Sequence, residues 1–380
     1  MLENFIILPE TLVEFIVSGV IAFAFIIQLF YLLFFYRRTG AKKSSPISSD
    51  LPPLSVVICA RNEEQNLKEF LPLVLDQDYP NFEVIVVNDC SQDDTDIVLA
   101  YFKQRYSNFY YTTIPYDKIF THGKKLPLTV GIKAAKNEHL VFTDADCKPS
   151  SNQWLRALAS GFSEGKEIVV AHGAYERRKG FLNRLIRYDS FFIATQYIGF
   201  ALARLPYMGV GRNMAYTKTL YNKVGGFRSH SRVLSGDDDL FIAEAATKNN
   251  FAVVKNSEAR TYSPAVENWS HFMLQKSRHL TTAPYYKFRV KFLLGLELFS
   301  RELFYLGVLS SIFLHNLALL VLGVVLIRTT TKLIVFGRAS RKLGEGRVFW
   351  SSLYLDIILP YMYLVFMIDN RLRKRKSSWK

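Results

Sequence analysis

Apolar runs and helix-spaced apolar residues alternate through the middle of the chain. Leu54-Ser-Val-Val-Ile-Cys59 is apolar at nearly every position, as a strand buried on both faces would be. Glu63 to Val74 follows, with apolar residues at Leu67, Phe70, Leu71 and Val74, a helical spacing. Phe82 to Val87 reads as a second buried strand ending at Asn88-Asp89, and Thr95 to Tyr106 as a helix with Ile97, Val98, Tyr101 and Phe102 inward. Phe109 to Ile114, a helix over Leu126 to Lys136, and the run His139-Leu-Val-Phe-Thr143 complete the series. Such alternation predicts an α/β domain, Rossmann-like, with a mainly parallel sheet covered by helices.

The ends of the chain carry another pattern. Phe15 to Tyr36 holds no formal charge and is long enough to cross a hydrocarbon core of roughly 30 Å. A second apolar block runs from Phe292 to Ile327, interrupted by Glu297 and Arg301-Glu302, and a third from Val348 to Ile368. Within the second, Leu303 to Ile327 reads as one span; alternatively His315-Asn316 turns the chain between two spans that continue to Phe336. The expected layout is an N-terminal transmembrane anchor over 1–36, a basic Pro/Ser linker over 37–53, a soluble domain over 54–290, two or three membrane helices within 291–370, and a basic tail over 371–380.

Charge gives this layout a direction. The net charge is +15. Arg328 to Lys380 holds 12 basic and 3 acidic residues, and Arg37 to Ser49 holds four basic residues and no acids. Because the basic residues flank apolar blocks, they follow the positive-inside pattern, with the soluble domain in the cytoplasm of a multi-pass protein. The pattern disfavours a nucleic-acid partner, which would want a basic face on the folded domain. Both C-terminal basic segments want the cytoplasm, so a single span between them breaks the rule unless one block is re-entrant or interfacial. Cys59, Cys90 and Cys147 have neither metal-ligand spacing nor an even count, and read as small buried residues.

Polar clusters stand at the carboxyl ends of three expected strands: Ala60-Arg-Asn-Glu63, Asn88-Asp89 and Asp144-Ala-Asp146. Ligands of open α/β sheets sit beyond those ends. If Asp144 and Asp146 continue a strand, their side chains point the same way and offer two hard oxygens to one divalent cation. The backbone N–H groups of Ala60 to Glu63 suit an anionic or nucleobase ligand, and Arg61 a phosphate.

Val56-Val-Ile-Cys-Ala-Arg-Asn-Glu-Glu64, Val86-Val-Asn-Asp-Cys-Ser91 and Thr143-Asp-Ala-Asp146 resemble the successive nucleotide-binding motifs of inverting family 2 glycosyltransferases. The membrane layout is similar to that of cellulose- or hyaluronan-synthase-like and ceramide-glucosyltransferase-like members. The resemblance implies a nucleotide-sugar domain of GT-A type and sugar transfer from a UDP-sugar to a lipid or glycan acceptor, assisted by Mg²⁺ or Mn²⁺. It gives Asp89 the uracil imide, Lys124 or Lys125 of Gly123-Lys-Lys125 the diphosphate, Asp146 the metal, and Asp144 the ribose or the metal. Ser235-Gly-Asp-Asp-Asp-Leu240 looks like the segment Thr/Ser-Glu-Asp-x-Asp-Leu that carries the general base, which leaves Asp237 at that position with Asp238 its nearest competitor. Gly236 stands where Glu is commoner. Met208-Gly-Val-Gly-Arg-Asn213 resembles an acceptor-side loop, in which Gly209 and Gly211 let the backbone approach sugars and Asn213 bonds a donor hydroxyl. Gln275-Lys-Ser-Arg-His279 resembles Gln-x-x-Arg-Trp; Arg278 then meets the diphosphate and Gln275 the acceptor region. His279 for Trp removes a flat sugar platform and counts against a long polymer channel. The rivals are an inactive partner subunit of a polysaccharide synthesis or export complex and another nucleotide-dependent membrane transferase; the chain has no G-x-x-x-x-G-K-Ser/Thr phosphate loop to favour the latter.

Overall fold

The computed structural model describes residues 9–41, 51–117, 123–233 and 235–373. The start of the N-terminal anchor, most of the basic linker including Lys42 and Lys43, and the tail from residue 374 lie outside the described residues.

The domain has an α/β fold, and its four long apolar runs are parallel strands. β1 (Leu54–Ala60), β2 (Phe82–Asp89), β3 (Phe109–Ile114) and β4 (His139–Asp144) stand in the order β3-β2-β1-β4, with Val57 opposite both Ile85 and Phe142. Helices α1 (Leu12–Phe30), α2 (Glu64–Leu75), α3 (Thr95–Arg105) and α4 (Lys125–Ala134) precede or link them. On α3 the inward residues are Val98, Leu99 and Phe102. Ile97 and Tyr101, expected inside, are 67% and 47% exposed, because the sheet meets α3 along the stripe one position further on.

The sheet extends beyond β4 through shorter strands. β5 (Lys148–Pro149) and α5 (Trp154–Ala159) lead to β6 (Ile168–Val170) and β7 (Gly173–Tyr175); α6 (Phe181–Leu202) then runs to β8 (Met214–Thr217). α7 (Lys218–Lys223), α8 (Asp239–Ala245), β9 (Phe251–Val253), β10 (Thr261–Ser263) and α9 (Trp269–Leu280) follow. β8 is antiparallel to β4 and to β6, and β9 closes the order β3-β2-β1-β4-β8-β6-β9. β5, β10 and β7 form a small second sheet.

Three helices complete the chain: α10 (Phe288–Ser311), α11 (Ala318–Leu343) and α12 (Ser352–Arg373). A short turn at His315–Leu317 separates α10 from α11, so the second apolar block is a helical hairpin and not one span over Leu303 to Ile327. α10 lies antiparallel to α1. The Tyr31 hydroxyl donates to the Leu293 carbonyl, Gln28 to the Glu297 carbonyl, and Asn316 to Glu14. α11 pairs in the other sense, with Arg328 donating to Gln28 and Phe336 beside Tyr36. Arg328 and Lys332, expected outside the apolar blocks, are buried between these helices. The helical runs Leu12–Arg38, Ala318–Leu343 and Val348–Asp369 are long and apolar enough to cross a membrane.

α6 is the seam between the two parts. Phe200 stacks on Phe35, with ring centroids 4.1 Å apart. Gly199 permits this approach, since a Cβ there would stand 2.7 Å from the Phe35 carbonyl oxygen. The aromatic stretch Phe191–Phe200 is buried core at this seam.

Candidate functional site

A cavity of about 1060 Å³ opens beyond the carboxyl ends of the parallel strands. Its polar end is lined by Glu63, Lys124, Asp144, Asp146, Asp237 and Asp238, with Gly211, Gln275 and Arg278 on neighbouring walls. Residues from six sequence segments, at 63, 124, 144–146, 211, 237–238 and 275–278, therefore face one space.

Lys124 ties three of these segments together. It precedes α4, and its Nζ donates to Asp144 Oδ1 at 2.5 Å and stands 3.5 Å from Asp237 Oδ2. Burial opposes its charge, but the carboxylates of Asp144 and Asp237 outweigh burial and hold its pKa well above that of an ordinary lysine. Lys125 points elsewhere: its ammonium donates to the carbonyls of His230 and Val233, both at 2.6 Å. Of the two lysines, the cavity receives Lys124.

Asp144 ends β4, whereas Asp146 lies past it in a turn closed by Cys147 N–H on the Asp144 carbonyl at 3.1 Å. Their convergence comes from this turn and not from strand alternation. Ligand atoms of Asp144, Asp146 and Cys147 all lie within 4.8 Å of one another. Burial raises the Cys147 pKa far above the usual thiol range, and its Sγ is 2.9 Å from Ser263 Oγ, so it stays a protonated thiol. Two hard carboxylates remain, a donor set that fits Mg²⁺ or Mn²⁺ and not a soft metal.

The acidic run after Ser235 divides into three roles. Asp239 caps no cavity chemistry: it accepts from Thr282 at 2.5 Å and Tyr286 at 2.6 Å, fixing α8 to the segment after α9. Asp238 accepts the Gly211 N–H at 2.8 Å, and desolvation in the cleft, then the charges of Asp237 and Asp239, push its pKa up to about 7. Asp237 is left facing Lys124. Gly236 has φ +92°, and a Cβ there would meet Leu240 at 2.5 Å, so the turn that aims these acids excludes a Glu at that position.

Several expected residues stand outside the cavity wall. Asn213 is 0% exposed, and its amide is fully used: it accepts from Trp154 Nε1 at 3.1 Å and donates to the carbonyls of His172 and Ala259 at 2.9 and 2.7 Å. It holds the loop rather than bonding a sugar. Ala60 and Asp89 are fully buried at the ends of β1 and β2, and Arg61 follows Ala60 outside the wall. Of the backbone N–H groups expected to be open to a ligand, those of Asn62 and Glu63 donate instead to Ser91 and Thr95, and the next, Glu64, donates to Asp93. That locks the loop after β1 to the loop after β2, and Asn62 and Cys90 adopt positive φ there.

Arg212 is a cavity residue the sequence reading passed over. It lies on the Tyr175 ring at 4.5 Å and donates to the Gly173 carbonyl and to Ser190. A cation between two glycines and a buried Asn was the available signal. Gln275 donates to the Tyr175 hydroxyl at 3.3 Å, which joins α9 to the same wall.

The family model described as Glycosyl transferase family 2 matches residues 55–225, a stretch that ends before Asp237 and Arg278. The chain is similar to Glycosyltransferase AglE of Haloferax volcanii, 29% identical over 50% of this chain and 60% of that protein. It is also similar to Probable glycosyltransferase YdaM of Bacillus subtilis, 26% identical over 70% of this chain and 67% of that protein. The chain thus spans about three fifths to two thirds of these relatives. A solved mannosyltransferase from Pyrobaculum calidifontis, in complex with GDP-Man and Mn²⁺, shares the fold with a TM-score of 0.62 at 17% identity, over 96% of this chain and all of that one.

Proposed function

We propose that this chain, a family 2 glycosyl transferase over residues 55–225, moves a sugar from a nucleotide donor, a UDP-sugar in our reading, to a lipid or glycan acceptor by direct inverting displacement. The observation that carries the proposal is Lys124 between Asp144 and Asp237, which draws a phosphate-side carboxylate and a base-side carboxylate to one cavity.

In this reading Asp237 accepts the proton of the acceptor hydroxyl as that oxygen attacks the anomeric carbon. Lys124 and Arg278 meet the diphosphate. Lys124 also pairs with the Asp237 carboxylate, which fixes where that carboxylate points in the cavity. A Mg²⁺ or Mn²⁺ held by Asp146 with Asp144 would offset charge on the departing diphosphate. The Mn²⁺ bound alongside GDP-Man in the Pyrobaculum mannosyltransferase supports a metal at such a fold. The apolar helices support a membrane protein, and the basic flanks a cytoplasmic catalytic domain.

Purified protein is given a panel of labelled UDP-sugars and GDP-mannose with Mn²⁺ or Mg²⁺, and products are read by mass spectrometry. Free nucleoside diphosphate and a glycosylated product are expected from one donor. Asp146→Asn should reduce this by roughly 100-fold or more, the scale of losing a charge-stabilising group. Release of pyrophosphate would point to nucleotidyl transfer, and parental turnover in Asp146→Asn would remove the metal assignment.

A further inference from the structure

The same cavity does not end at the catalytic acids. It continues between α10 and α12, where Leu294, Gly295 and Leu298 face Leu364, Met367 and Ile368. A water-soluble sugar acceptor needs no such apolar extension. Other faces of these helices expose large apolar side chains, among them Phe292, Phe299 and Val365, as helices bordered by hydrocarbon would.

A buried cation stands where the polar and apolar parts meet. Arg301 is 2% exposed and lines the cavity beside Glu297, with its guanidinium 4.8 Å over the Phe192 ring. It belongs to a cluster of ion pairs that joins three helices, α10, α11 and α12. Its Nη1 is 3.2 Å from Asp356, its Nη2 is 3.4 Å from Glu297, and Arg328 and Lys332 reach the same Asp356. Three cations there share the carboxylates of Asp356 and Glu297, with Glu302 the next acid on α10. The Arg301 Nε–H has no hydrogen-bond partner among the described residues. A buried donor left unsatisfied is costly, and a phosphate oxygen would satisfy the Nε–H while Nη1 and Nη2 stay on Asp356 and Glu297.

We propose that the acceptor is a phosphate-bearing membrane lipid that enters sideways between α10 and α12, with its phosphate beside Arg301 and its hydrocarbon chain along Leu298, Leu364 and Met367. This rests on the transferase reading for what happens at Asp237, but not for the binding itself. Gly295 is the gate position: a Cβ there would meet nothing within 4 Å, so a large side chain can grow into the cavity without disturbing the helices.

The test reads binding and not transfer. Full-length protein in phosphatidylcholine nanodiscs is photolabelled with diazirine-bearing phosphatidic acid, or with diacylglycerol of identical chains. UDP affinity is measured in parallel. Label is expected on the peptides around 294–298 and 364–368, roughly tenfold stronger for the phosphate-bearing probe, the scale of one hydrogen bond to a charged group. Gly295→Trp should abolish labelling at these peptides while UDP still binds. Arg301→Lys, which keeps the charge but loses the Nε–H, should cut the preference for phosphate. Equal labelling by both probes, or labelling indifferent to Gly295→Trp, would overturn the proposal. So would suppression of the preference by inorganic phosphate alone, which would make this a site for the free ion. Loss of UDP binding in the parental protein would instead strike at the transferase reading.

Discussion

At Asp238 the neighbouring side chains decide when a carboxyl ionises. With its pKa near 7, it is protonated below that pH and charged above it. Once ionised, Asp238 adds negative charge to the acidic end of the cavity, which favours a proton leaving the acceptor hydroxyl toward that end. Transfer should therefore rise with pH through an inflection near 7, and Asp238→Asn should remove the inflection while retaining turnover. If Asp238→Asn is inactive at every pH, Asp238 is itself the base. Stability carries the opposite sign. Between the ordinary value of 3.8 and about 7 the folded chain holds a proton that the unfolded chain releases, so stability falls as pH rises through that window. Which of two adjacent lysines enters the cavity was not legible in the sequence, because it depends on where α4 begins against the loop at His230. Asn213 was misjudged for a similar reason: a buried amide and a ligand-binding amide are the same residue until their partners are known.

Elements were legible where burial on both faces made a strand apolar throughout. β1 and β2 are the clearest instances, and their ends locate the cavity. β6, β8 and β9 are three or four residues long, and their pairings, antiparallel for β8 and parallel between β6 and β9, come from distant contacts that no local pattern carries. The membrane helices show the same division. α12 is apolar enough to be taken for a span, yet it touches the catalytic domain along its length: Phe181 stacks on Tyr354, Tyr363 donates to Asp189, and Phe366 meets Phe272. Its buried residues Leu355, Leu359 and Phe366 recur at helical spacing, while Ile357, Ile358, Leu364 and Val365 on other faces are exposed. An interfacial helix lying on a bilayer would show this pattern. An interfacial α12 would leave the two basic segments on one side of the membrane. Single cysteines placed by Gly346→Cys and Ser377→Cys should react with an impermeant maleimide from the same side of sealed vesicles, and Asn316→Cys from the other. The native cysteines Cys59, Cys90 and Cys147 are buried and should stay silent. If Ser377→Cys labels together with Asn316→Cys, α12 crosses the membrane.

Across the whole molecule, the cavity has one wall on the sheet domain and one on the helices, so its shape depends on how firmly the two are joined. The loop after α11 supplies a joint. Glu345 is buried against His172 at 2.8 Å and Arg187 at 2.8 Å, and Arg260 donates to the Leu343 carbonyl at 3.2 Å. Burial alone would raise the Glu345 pKa, but its bonds to His172 and Arg187 outweigh burial and hold it below the usual carboxylate value of 4.5. Removing one partner of a buried charged group costs about 3–5 kcal/mol, so Glu345→Ala should lower the thermal midpoint markedly at neutral pH. The sign with pH follows from the depressed value. The unfolded chain takes up a proton at Glu345 before the folded chain does, so this contribution is complete above 4.5 and is lost as pH falls through the folded value. The difference in midpoint between parental protein and Glu345→Ala should therefore be widest at neutral pH and shrink on acidification below 4.5. A difference that stays constant into strong acid would mean that packing, and not the charge on Glu345, joins the helices to the sheet.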